Sequence, residues 1–541
     1  RDSFMTPRRS ILQAATPLAI ATALTFTSGW ALAQSTQPVH GGTLRAIVQP
    51  EPIALNTTFN TTFVNGIVTS NILEGLLTYD ENQQPRPGLA TQWEVSPDGL
   101  TITYRLRKGV KWHDGQLFTS ADVKFSALQA WKVNHPIGRT IYAALADVET
   151  PDDYTAVFRF TKPSLVVLSY ANAQGSMVLP RHVYEGTNIL SNPANQKPIG
   201  TGAFRFKTWQ QGQYIELERN PDYWDTGKPY LDRVIFRVIP DAGARVAAFE
   251  SQEVDYAPFD AVAFSDVERL KKLPFIGVGT SGYSWESAYT FVEFNLRNPI
   301  LANPKVRHAI AQAINVQGLI NAVWFGFGKP STGPIPSTLK NFYTTQGVPQ
   351  YPYDWKKAEA LLDEAGYPRR ADGTRFSLNF DYQPFHQTFK QQADYIKQNL
   401  KRVGIEVNVR NQDLPTFTKR VYDAYDFDLN TGRWGPMMDP QIGVLRHYWT
   451  RAISKGTPWT NASGYSNPQA DGVIEALIAE GNPAKRVALF HQLQRIAQTD
   501  LPVIPLFEQR NFTIYNTRVH GLSKDADAAQ ASLKSVWLSP P

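Results

Sequence analysis

Aromatic side chains crowd the segment from Tyr422 to Tyr465, which holds Tyr425, Phe427, Trp434, Tyr448, Trp449, Trp459 and Tyr465. Arg433-Trp434-Gly435-Pro436 interrupts this segment directly after a strand-like run. Aromatic surfaces and a few polar groups on a turn are what a small-ligand cleft needs. The same residues also suit core packing beneath a loop, and composition alone leaves both readings open.

Other candidate chemistry is weaker. Asp426 and Asp428 share a face if Tyr425–Leu429 is extended, and paired carboxylates could do acid–base work. Capping amides or facing solvent is the commoner use of such pairs. The nine histidines include no i, i+4 pair and no His-Glu-x-x-His frame, so no metal site is expected. His113, between Trp112 and Asp114-Gly115, reads as a structural turn residue. Gly277-Val278-Gly279-Thr280-Ser281-Gly282 matches G-x-G-x-x-G. A dinucleotide loop needs a following helix, but Tyr283 to Leu296 reads as extended. There is no phosphate-binding Walker pattern and no G-x-S-x-G elbow. The absence of cysteine excludes disulfides, thiol catalysis and a lipid-modified N-terminal Cys. No cofactor is expected. A net charge of +6 over 541 residues gives no reason to expect nucleic-acid binding.

The elements that would position these residues are mixed. At 541 residues the chain exceeds one core, which stops growing at about 250–300 residues. Alternation predicts strands at 42–48, 100–106, 155–160, 204–209, 214–218 and 234–239. Helical spacing predicts helices at 65–78, 242–253, 304–322, 355–365, 386–403 and 484–499. Strands and helices interleave throughout, which predicts α/β lobes. Residues 1–33 read as a signal peptide: Arg8-Arg9, a mildly apolar stretch and Ala31-Leu32-Ala33. The adjacent arginines fit twin-arginine export, and a general-secretion signal fits equally. Export without a cysteine anchor points to the periplasm.

Several ordered blocks together resemble one family. They are Ile72-Leu73-Glu74-Gly75-Leu76-Leu77-Thr78-Tyr79-Asp80, Ser96-Pro97-Asp98-Gly99 and Arg105-Leu106-Arg107-Lys108-Gly109-Val110-Lys111-Trp112-His113-Asp114-Gly115. Pro198-Ile199-Gly200-Thr201-Gly202-Ala203-Phe204, Glu218-Arg219-Asn220-Pro221-Asp222-Tyr223-Trp224 and Leu361-Leu362-Asp363-Glu364-Ala365-Gly366-Tyr367 continue the series. The chain resembles the family 5 extracellular solute-binding proteins, the peptide, opine and nickel receptors of ABC importers.

The resemblance implies a two-lobed α/β periplasmic binding protein of type II, in the large cluster with an extra inserted domain. Lobe one would comprise 34–72, 198–290 and 506–541. The inserted domain would be 73–197, and lobe two 291–505, with hinge crossings near Glu293 and Leu506. It further implies a monomer that is not an enzyme and works with a membrane permease and its ATPase. A peptide-like solute is the expected ligand, with an opine as the alternative and a secreted hydrolase behind both. The expected site residues are Thr61, Thr62 and Phe63 from one lobe, Arg433, Trp434 and Gly435 from the other, and Glu293 at the junction. Peptide receptors of this family carry an aspartate three residues after the tryptophan, to hold the ligand's amine. Here that place is Met437, beside an expected apolar pocket, and the next acid is Asp439. Asp439, Glu293 or another acid would replace it, or the ligand lacks a free amine. Arg433 would meet a ligand carboxylate. Trp434→Ala is expected to weaken binding with little loss of stability.

Overall fold

The computed structural model describes residues 37–540; the expected signal peptide, 1–33, lies outside the described residues. The fold is two-lobed, mixed α/β, with each lobe built on its own sheet. The first sheet has seven strands in the order Ile276–Gly279, Thr513–Asn516, Tyr256–Ala257, Thr43–Val48, Arg233–Val238, Tyr214–Arg219, Phe204–Gln210. Thr43–Val48 lies centrally, parallel to Arg233–Val238, and Leu44, Ala46 and Val48 are fully buried. The second sheet has six strands: Gly328–Pro330, Val503–Gln509, Tyr289–Phe294, Leu429–Trp434, Phe376–Tyr382, Ile405–Arg410. A four-stranded antiparallel sheet (Ala90–Val95, Thr101–Leu106, Thr155–Phe160, Leu145–Asp152) forms within the stretch expected to be inserted.

The chain passes between the two large sheets twice, between Gly279 and Tyr289 and between Gln509 and Thr513. Crossings expected near Glu293 and Leu506 instead fall inside strands Tyr289–Phe294 and Val503–Gln509, which pair with each other. Tyr289–Phe294 is buried at every position because both faces of the sheet are covered here: Tyr289 and Phe291 enter one core cluster, Val292 and Phe294 another. It therefore lacks the alternation that marks a strand edge. The helix expected at 304–322 is broken into Pro304–Ala313 and Val316–Val323, the second capped by the Asn315 side chain, which accepts from Gly318 N–H. The helix expected at 65–78 covers only Phe63–Thr69. Beyond it, Gly75 lies so close to backbone that a Cβ would sit 2.3 Å from the Asn172 carbonyl carbon.

Four of the blocks that carry the family resemblance meet around one enclosed carboxylate. Glu74 accepts from Thr201 Oγ1 at 2.8 Å, Tyr223 Oη at 2.7 Å and Trp224 Nε1 at 2.9 Å. Burial raises its pKa, against the opposing pull of Lys534. His113 joins the same staple: Nε2 donates to the Gly202 carbonyl at 3.0 Å and Nδ1 accepts from Gly200 N–H at 3.2 Å. Burial pulls its pKa down to about 4, so it is a neutral structural imidazole. Gly200 packs so tightly on Ile72 that a Cβ there would lie 1.7 Å from the Ile72 carbonyl oxygen.

Candidate functional site

A cavity of about 740 Å³ lies between the lobes, within the usual ligand-pocket range of about 300–1,000 Å³. Lobe one contributes Pro50, Phe63, Arg245, Phe259, Asp260 and Phe264; the two crossings add Glu286 and Asn511. Lobe two contributes Trp324, Gln383, Phe385, His386, Arg433, Trp434, Gly435, Arg446 and Trp459, among others. The walls are aromatic with a few charged groups.

Phe63 is the first residue of its helix and stacks on Phe259, with centroids 4.7 Å apart. Phe259 and Asp260 both hold left-handed backbone, at φ 58° and 54°. Such strain in non-glycine residues persists only where surrounding bonds enforce it. Here Phe259 N–H donates to Tyr283 Oη at 3.0 Å, and Asp260 N–H to the Phe512 carbonyl at 3.1 Å. The Asp260 carboxylate accepts from Phe512 N–H at 2.6 Å and Asn511 Nδ2 at 2.7 Å. Burial nevertheless raises its pKa to about 7. The turn thus fastens lobe one to the returning crossing and presents an acid to the cavity.

On the opposite wall, Arg433 forms an ion pair with Glu286. Its backbone N–H donates to Gln383 Oε1 at 2.9 Å, so a side chain already meets the first amide of the strand end expected to pair with a ligand. Trp434 is 3% exposed and lies between Phe291, at 3.8 Å between centroids, and His447, at 3.4 Å. It shows an edge to the cavity but is built as a packing residue. Against the expectation that Trp434→Ala spares stability, this packing predicts a stability loss.

Of the residues expected in the site, Phe63, Arg433, Trp434 and Gly435 line the cavity. Thr61 and Thr62 do not; Thr62 is the exposed N-cap of the helix that Phe63 begins. Met437, in left-handed backbone at φ 61°, packs against the core outside the cavity. Asp439 is spent: Arg486 Nη1 and Nη2 each donate to it at 2.7 Å, with both side chains buried. Glu293 is fully buried, accepting from Asn430 Nδ2 and Ser463 N–H, each at 3.1 Å, and faces no cleft. Burial raises its pKa to about 7. Neither acid is placed to receive a ligand amine in the cavity.

Asp260, Glu286, Gln383 and Arg446 escaped the sequence reading. Arg446 and Trp459 lie in the aromatic segment that drew attention, which was the one available signal. Asp426 pairs with Arg410, and Asp428 accepts from Asn298 Nδ2 and Asn379 N–H, so that carboxylate pair is structural. Gly277–Gly282 spans the end of strand Ile276–Gly279 and leads into no helix. Among the described residues no cluster of His, Asp or Glu could hold a metal ion, and no helix is long and apolar enough to cross a membrane.

Comparison with known proteins agrees with this geometry. Residues 84–456 match the family described as bacterial extracellular solute-binding proteins, family 5 Middle. The oligopeptide-binding protein AppA of Bacillus subtilis is 26% identical over 517 residues, covering 93% of each chain. Its structure in complex with a nonapeptide has a TM-score of 0.74 and covers 93% of this chain and 100% of that one. The glutathione-binding protein GsiB of Pectobacterium atrosepticum is 27% identical over 472 residues, covering 84% of this chain and 86% of that one. The substrate-binding protein CtaP of Listeria monocytogenes, 23% identical with a TM-score of 0.80 over 93% of this chain and 100% of that one, shares the fold. Proteins of this family bind solutes and are not enzymes. The match runs through both sheets and the stretch between them, and with it the chain belongs to the family 5 bacterial extracellular solute-binding proteins.

Proposed function

We propose that this protein captures a peptide-like solute in the interlobe cavity and delivers it to an ABC permease and its ATPase at the inner membrane. The observation that carries this reading is a cavity walled from both lobes. A solute between them makes all its contacts only when the lobes are together. It therefore favours the closed arrangement by its differential affinity. Moving a 1:99 population to 99:1 takes about 5.5 kcal/mol. The crossings at 280–288 and 510–512 are the hinge in this reading, joining lobe one (with its inserted domain) to lobe two.

The named ligands of the relatives, an oligopeptide and glutathione, support a solute with peptide bonds and charged ends. The cavity offers chemistry for both kinds of end. Asp260, enclosed and raised to about 7, takes the role expected of Asp439. A ligand ammonium beside it would favour its ionised form. The protein acts as a monomer in the periplasm, after removal of residues 1–33.

Native mass spectrometry of freshly purified protein tests the reading. A carried species with the mass of a short peptide is expected. A carried species without peptide bonds would overturn it.

A further inference from the structure

Three arginines line the interlobe cavity, and two are already committed. Arg433 is paired with Glu286. Arg245 donates to the carbonyl groups of Ala261, Ile239 and Pro240. Arg446 differs from both. Its guanidinium makes no hydrogen bond or ion pair with any described residue, and its Nε is buried without a partner. Burial lowers its pKa. The hydroxyls of Tyr422 and Tyr289, both buried and unpartnered, act electrostatically on it. Arg446 is half-buried: its Nε is enclosed, while the rest of the guanidinium opens to the cavity with no opposite charge beside it. Proteins tolerate such a group where a ligand completes it.

We propose that Arg446 is a subsite for a carboxylate of the bound solute. The proposal rests on the solute-binding reading above and names the group recognised. A carboxylate fits because its two coplanar oxygens match the fork of a guanidinium, whereas an ammonium or an apolar end would leave the charge uncompensated. The role expected of Arg433 passes to Arg446, because Glu286 already neutralises Arg433. Asp260 on lobe one and Arg446 on lobe two then supply opposite charges from opposite walls. A zwitterionic solute bridging them would reward closure at both ends.

The test uses the full chain, freed of carried solute by dialysis from denaturant. It is offered two pools of synthetic tripeptides of identical sequences, one as free acids and one as C-terminal amides. Retained peptides are identified by mass after gel filtration and their affinities measured by calorimetry. The wild type is expected to retain free acids and to bind the amides about a hundredfold more weakly, as loss of a bidentate charge-assisted pair implies. Arg446→Gln should weaken the acids by the same factor and leave the amides unchanged. Arg446→Lys keeps the charge without the fork and should fall between; it decides the matter if Arg446→Gln does not fold. Equal binding of acids and amides by the wild type, or undiminished acid binding by the folded Arg446 variants, overturns the subsite.

A wild type that retains neither pool contradicts the peptide reading instead. Acetate then probes the subsite alone, by melting temperature at ionic strength held constant with chloride. Acetate should raise the melting temperature of the wild type and leave the folded Arg446 variants unmoved. No response in the wild type, or the same response in all, overturns the subsite.

Discussion

Glu74 and the interlobe cavity both gather charged and aromatic side chains, and they are built in opposite ways. The Glu74 carboxylate is answered from within the chain: Thr201, Tyr223 and Trp224 donate to it, and His113 ties the neighbouring glycines. On the cavity wall, Arg446 keeps donors that nothing in the protein answers. The first region holds the blocks that betray the family; the second holds residues that no block contains. The motifs therefore report how residues 72–115 and 198–224 are held together, whereas the cavity's charged groups lie outside every block.

Trp434 gives the largest expected effect and sits at the boundary between the two kinds of region. Trp434→Ala removes the slab between Phe291 and His447 and should cost about 4 kcal/mol of stability, in the range for deleting a buried aromatic. Urea denaturation measures this. A loss below 1 kcal/mol with weakened ligand binding would return Trp434 to the ligand side.

Glu74→Ala comes next. It strands three donors and should cost about 3 kcal/mol, with ligand affinity of the folded protein unchanged. Calorimetry on the folded variant checks the second half. Lost affinity at unchanged stability would erase the contrast between the two regions.

The smallest effect is a slope. The Glu293 pKa of about 7 in the folded protein lies above the ordinary value of 4.5. Between these values the folded state holds more protons than the unfolded chain, so this group's contribution to stability falls as pH rises through the window. One proton corresponds to at most about 1.4 kcal/mol per pH unit. Glu293→Gln should flatten the decline between pH 5 and pH 7 and be more stable than the wild type at pH 8. Parallel pH curves for the two proteins would show that Glu293 is already ionised when folded.

Much of the fold was legible because period-two alternation survives wherever one face is buried. Strand Thr155–Phe160 falls where the alternation placed it, and helix Gln387–Arg402 within one residue of its expected ends. The expected boundary at 290/291 cut strand Tyr289–Phe294 in two because burial on both faces erases alternation. The site was harder for a different reason. Asp439 looked available from its nearness to Trp434, but Arg486, 47 positions later, claims it. Asp260 looked ordinary, and its setting is made by Asn511, 251 positions away. That Arg446 is unpaired is a fact about what is missing around it, which no local pattern can carry.

The central claim is that solute is held by bringing the two lobes together around it. Small-angle X-ray scattering of the full chain, with and without a peptide shown to be retained, tests this most directly. The account predicts a smaller radius of gyration at saturation, with the peptide recovered intact. Superimposable profiles at saturation would contradict it.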